Sequence, residues 1–208
     1  MDPTAAQDSG ERRVQKEMGS CERANRFYDR QVSDLLNGTM IDLIERQEMV
    51  FVATADANGN CDCSPRFGKP GFVRVVDSQT LTYPEYRGNG VFASLGNLLE
   101  NPHVGLVFLD FFDTTVGLHV NGTAQSYAVE ALPASFINRL SPGELEQSRL
   151  IERWVVITVE EAYIHCSKHV PRLKKLDKPI DWGTDDPAAK SNDYFEEDKS
   201  ADRGQAGL

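Results

Sequence analysis

Two arginines in this chain sit where an anion could be held. Arg66 ends the run Cys61-Asp62-Cys63-Ser64-Pro65-Arg66, and Arg87 leads into Gly88-Asn89-Gly90, a loop that opens a short helical stretch containing Ser94 and Asn97. A guanidinium presents a planar fork of donors that meets a phosphate two bonds at a time. A glycine-rich loop entering a helix adds exposed backbone N–H groups and the positive end of the helix dipole. Ser94 and Asn97, three residues apart, lie on one helix face and can donate to one ligand. This local cluster describes phosphate recognition. Each part also has a plainer reading. In a chain with 32 acids and 22 bases either arginine can form a surface ion pair, and Gly88-Asn89-Gly90 can be a turn that uses positive φ.

The histidines are His103, His119, His165 and His169. His119 shares a strand face with Gly117 and Asn121, opposite Val116, Leu118 and Val120, so it either points at a groove or is a satisfied structural residue. His165, Cys166, Lys168, His169 and Arg172 crowd together directly after a strand. Cys21, Cys61, Cys63 and Cys166 are too few for a disulfide scaffold and read as free thiols. A structural zinc site uses paired ligands, which one Cys-x-Cys and a distant His165-Cys166 do not supply.

The elements that must position these groups are mostly strands. From Asn25 to Glu48, Phe27, Val32, Leu35, Leu36, Met40, Leu43 and Ile44 recur at helical spacing; Asn37-Gly38 breaks the pattern into two helices, with Thr39 as N-cap of the second. Val50–Ala55 is β-branched and apolar, Asp56–Asn60 supplies a hairpin turn, and Cys61–Ser64 is the partner strand. Further strands follow at Gly71–Val76, Thr80–Pro84, Val104–Phe108, Val116–Thr123 and Trp154–Val159, with helical segments from Ser94 to Leu99 and around Ala131–Leu150. The Asn121-Gly122 pair closes a hairpin or makes a bulge. Six or seven strands with short connections imply a mainly β fold, a closed antiparallel sheet with N-terminal and inserted helices.

Composition bounds the rest. A chain of 208 residues, 40% hydrophobic, can bury one substantial core. No window approaches the roughly 20 apolar residues needed to cross a bilayer, and the acidic first residues do not form a secretory signal. A cytoplasmic protein without membrane contact is expected. The net charge of -10 opposes a nucleic-acid surface. Half of that excess lies between Asp181 and Leu208, so residues 1–24 read as a disordered or loosely helical leader, 25–176 as the folded domain and 177–208 as an acidic flexible tail.

Taken in order, Phe51–Gly59, Cys61–Arg66, Pro70–Val75, Thr80–Pro84, Gly88–Gly90, Ser94–Asn97, Glu100–Pro102, Gly105–Phe108 and His119–Ala124 resemble the core of the pyridoxamine 5'-phosphate oxidase-like family. The resemblance implies a split β-barrel, a homodimer, and FMN in a groove at the subunit interface. It implies that the flavin is lined by Thr82, Tyr83, Pro84 and Glu85 and that Ser64, Arg66 and Arg74, with Arg87, Gly88, Asn89, Ser94 and Asn97, form the cofactor site. A flavin needs cations for its phosphate and an apolar slot for its ring, and Tyr83 can stack or hydrogen-bond there. An oxidoreductase acting on a small molecule is the expected activity.

The chain departs from the vitamin B6 oxidases at Pro84-Glu85-Tyr86-Arg87, where they carry basic residues, so pyridoxamine phosphate is not the expected substrate. Some split-barrel relatives bind haem through an axial histidine, for which His119, His165 or His169 would serve. A deazaflavin-using reductase and a non-enzymatic dimer that sequesters a ligand are the remaining alternatives. No catalytic acid or base stands out.

Overall fold

The computed structural model describes residues 9–137 and 151–184, together with 186 and 188. One antiparallel sheet dominates it. Its strands are β1 (Val32–Ser33), β2 (Met49–Ala55), β3 (Cys61–Phe67), β4 (Arg74–Asp77), β5 (Thr80–Tyr86), β6 (His103–Leu109), β7 (Gly117–Ala128) and β8 (Ile151–His165). They are ordered β3-β2-β6-β7-β8-β5-β4, and β1 pairs with β8 off this path. The eight-stranded sheet thus exceeds the expected six or seven by the two-residue β1. The terminal strands β3 and β4 share no ladder among the described residues, so the sheet curls without closing, and the gap is the split of a split barrel.

Alternation explains which side chains fill the barrel. Val50 and Val52 of β2, Leu106 and Phe108 of β6, Leu118 and Val120 of β7, and Val155 and Ile157 of β8 are all buried, at period two along each strand. Helices cap the ends of this core: α3 (Gly38–Glu45) contributes Leu43 and Ile44, and α4 (Ala93–Glu100) contributes Leu95 and Leu98. The opposite face of β8 carries Trp154, which packs with Leu132 and Ile151 in a smaller cluster beneath the segment that follows β7. The expected helix at Ala131–Leu150 is represented by a 3-10 turn, Val129–Ala131, and by α5 (Ala134–Ile137); residues 138–150 lie outside the described residues.

Several boundaries differ from the sequence reading, for local reasons. Helices begin inside the leader, at α1 (Gly10–Glu17) and α2 (Cys21–Gln31). Ser9 caps α1 by accepting from the Arg12 N–H, and α1 packs on α2 through Gln15, which donates to the Tyr28 hydroxyl at 2.6 Å. Helix α2 stops at Gln31, because Val32 turns extended and pairs with Tyr163 of β8. Asn37, rather than Thr39, caps α3: its side chain accepts from the Met40 N–H at 3.0 Å. The third expected strand starts at Arg74 and not Gly71, since Gly71 has φ +83° and the Phe72 N–H closes a turn onto the Lys69 carbonyl.

The Asn121-Gly122 pair does make a bulge. The register between β7 and β8 shifts there, and a Cβ on Gly122 would meet the Thr158 carbonyl oxygen at 2.0 Å, so only glycine lets the strands approach. No described helix is long and apolar enough to cross a membrane.

Candidate functional site

The split is bridged by side chains. Along β3, Asp62, Ser64 and Arg66 alternate onto the less exposed face, while Cys61, Cys63, Pro65 and Phe67 point outward. Arg66 reaches from β3 to β5, where its Nε donates to Glu85 at 2.7 Å. Its Nη1 donates to the Ser64 hydroxyl at 2.6 Å, and its Nη2 to the Ser94 hydroxyl at 3.2 Å on the first turn of α4. Ser94 passes the chain on by donating to Asp62 at 2.8 Å. Five polar side chains from two strands and a helix therefore form one network around one guanidinium.

This network floors a cleft of about 550 Å³, within the range of small-molecule sites. The loop from Arg87 to Phe92 makes one wall. In that loop the Val91 N–H donates to the Asn89 side chain at 3.0 Å, and Phe92 adopts a left-handed φ of 53° at the N-cap of α4. Pro84 and Tyr86 contribute from β5, and Asp181, Trp182 and Gly183 contribute from far along the chain. Phe67, Val91 and Phe92 are exposed at the rim. Burial pushes the Glu85 carboxyl above the ordinary carboxylate value, with Glu152 adding to the rise; the charge and hydrogen bond of Arg66 oppose it without cancelling it.

Of the residues singled out from the sequence, Ser64, Arg66, Pro84, Glu85, Arg87, Gly88, Asn89 and Ser94 line this cleft together. Four do not. Tyr83 is wholly buried in the core, where its hydroxyl finds no hydrogen-bond partner among the described residues and desolvation drives its pKa upward. Thr82 donates to the Val155 carbonyl at 2.9 Å and, with Arg74, lines a separate cavity of about 360 Å³. Burial lowers the Arg74 pKa there, opposed by Glu45 and Tyr86. Asn97 turns away from the loop and donates to Thr54 of β2 at 3.0 Å. Asp62, Tyr86 and the 181–183 segment were not singled out. For Asp62 the signal was available, because it stands at strand period two from Ser64 and Arg66.

The histidines form a different arrangement. His119 Nε2 lies 2.9 Å from His165 Nδ1 on the outer face of β7 and β8, and the His119 ring stacks on Tyr163 with centroids 4.7 Å apart. Burial lowers the His119 pKa, and the neighbouring His165 lowers it further against the pull of Glu161. Neither residue lines the cleft, and His169 lies in the short 3-10 turn Ser167–His169 after β8. No group of three or more metal-ligating side chains exists among the described residues.

An open antiparallel barrel with a polar cleft at its seam defines a split-barrel protein. The family model for pyridoxamine 5'-phosphate oxidase matches residues 36–166, more than half of the chain. The chain belongs to the pyridoxamine 5'-phosphate oxidase family. Solved structures similar to it include HupZ of Group A Streptococcus, at 23% identity and a TM-score of 0.47, covering 67% of this chain and 99% of that one. A Clostridium acetobutylicum protein related to general stress protein 26, of the pyridoxinephosphate oxidase family, is 17% identical with a TM-score of 0.42, covering 64% and 87%. HutZ, the haem storage protein of Vibrio cholerae, is 15% identical with a TM-score of 0.43, covering 62% and 93%. No curated protein has a matching sequence.

Proposed function

We propose that this chain is an FMN-dependent oxidoreductase that holds the flavin in the seam cleft and works as a dimer of identical chains. The reading rests on the convergence of Arg66, Arg87 and the glycine-bearing loop on one cavity at the start of α4. The flavin would supply the two-electron chemistry, and the chain supplies position and electrostatics. Arg87 and the loop backbone meet the dianionic phosphate. Arg66, locked by the two serine hydroxyls and Glu85, offers a cation whose position costs little further entropy to fix. The exposed Phe67, Val91 and Phe92 at the rim are the apolar surface that a second copy would cover. With Glu85 and Tyr86 standing where the vitamin B6 oxidases carry bases, the substrate is a small molecule other than pyridoxamine phosphate.

A visible absorption spectrum of the purified chain tests this directly, with mass spectrometry of whatever is released on denaturation. FMN gives two visible flavin bands, haem a Soret band, and a deazaflavin no colour until the cofactor is added. Titration then tests the phosphate contact: Arg87→Ala is expected to weaken FMN roughly tenfold or more while leaving riboflavin, which lacks the phosphate, almost unchanged. Equal FMN affinity in the two proteins would remove Arg87 from the site.

A further inference from the structure

The chain returns to the cleft after leaving the barrel. Beyond β8 the segment 171–180 runs exposed along the surface, tied down near its start by the Leu173 N–H on the Phe111 carbonyl at 2.8 Å and by Lys175 on Glu48. At Asp181 it folds back. The Thr184 N–H bonds to the Asp181 carbonyl at 3.3 Å, and Gly183 takes φ +76°, the pattern of a four-residue turn that requires glycine at its third position. Such a turn projects the side chain of its second residue, Trp182, to one side. The indole meets the ring of Tyr86 with centroids 6.1 Å apart and planes inclined by 30°, and Asp181, Trp182 and Gly183 all line the cleft. The space of about 550 Å³ remains with this segment in place, so the turn forms a wall and does not plug the cavity.

We propose that the Asp181–Thr184 turn is a strap completing the cofactor cleft, and that Trp182 is a positioning residue that, backed by Tyr86, stacks on the flat conjugated ring of the bound ligand. The inference rests on the flavin reading for the identity of that ring. The chemistry is complementary. Arg87 and its loop address the charged end of a ligand, whereas an indole braced by a phenol offers an extended apolar face that discriminates by planarity and not by charge. The brace matters because an indole at the end of ten exposed residues would otherwise lose much conformational freedom on binding, and contact with Tyr86 orders it beforehand.

The test titrates the full chain with FMN and with riboflavin, following flavin fluorescence. Trp182→Ala is expected to weaken both ligands alike, by about tenfold, because stacking acts on the ring they share; Trp182→Phe restores most of the loss. That pattern is distinct from Arg87→Ala, which affects FMN alone. Unaltered binding of both flavins by Trp182→Ala overturns the proposal. If the wild-type chain binds neither flavin, the flavin reading falls, and the strap is judged on the ligand-free protein. There, Tyr86→Ala raises acrylamide quenching of tryptophan fluorescence if the indole is seated, an increase absent from a Trp182→Phe background. No increase overturns the strap.

Discussion

The barrel interior and the seam cleft solve opposite problems with neighbouring residues of the same strands. Inside, Leu81, Leu106, Val120 and Ile157 are fully enclosed, and neighbouring strands are joined by backbone ladders. At the seam, β3 and β5 have no ladder between them, and Arg66, Glu85, Ser64, Ser94 and Asp62 do the joining. Backbone ladders fix one geometry, and side-chain networks can be re-formed around a guest. The same barrel thus combines a core that tolerates little change with an opening held by side-chain bonds alone.

The sharpest way to break this contrast is to damage the interior. Leu106→Ala should cost about 4 kcal/mol in denaturant unfolding, through lost burial and the cavity left behind. A loss below about 1 kcal/mol would show that the interior is not close-packed. At the seam, Arg66→Ala should cost about 2 kcal/mol, because Glu85 is left charged and poorly solvated. Adding Glu85→Gln should recover much of that loss, and a double-mutant cycle measures the coupling. The pH dependence follows from the raised Glu85 pKa. Its contribution is fully present below the unfolded carboxylate value and is lost as pH rises through the folded one, so mild acid should favour the wild-type fold more than that of Glu85→Gln. A cycle with no coupling would mean that the pair does not hold the seam. The smallest effect belongs to Tyr83→Phe, which deletes a buried hydroxyl without a partner among the described residues and should be neutral or stabilising by up to about 1 kcal/mol. A clear destabilisation would reveal a bond partner for the hydroxyl.

The sequence displays the strands well, because apolar alternation and turn residues such as Asp56–Asn60 are local signals: Asp56 accepts from the Asn58 and Asn60 N–H groups as its type and place suggest. It displays the site in part. Arg66, Arg87 and Ser94 stand out by chemistry, but that Arg66 spends its donors on Ser64, Ser94 and Glu85 depends on how three elements meet, and spacing does not encode that. Thr82 and Tyr83 illustrate the converse. Both sit on the strand that reaches the cleft, yet the inward and sideways directions at those positions are set by packing against β8. Trp182 was hidden by its surroundings, since acidic neighbours made the whole region read as tail, although Asp-Trp-Gly carries a turn signature.

Strand β8 has a consequence for how the molecule comes into being. Its fifteen residues pair with β7, β5 and β1, which lie from about 25 to more than 125 positions earlier in the chain. On the ribosome, β5 must wait with one edge unsatisfied until residues 151–158 emerge, long after its own hairpin with β4 can form. Such distant closure makes folding slow, and it leaves the edge of β5 and the apolar face of Leu81 open to wrong partners until β8 has been made.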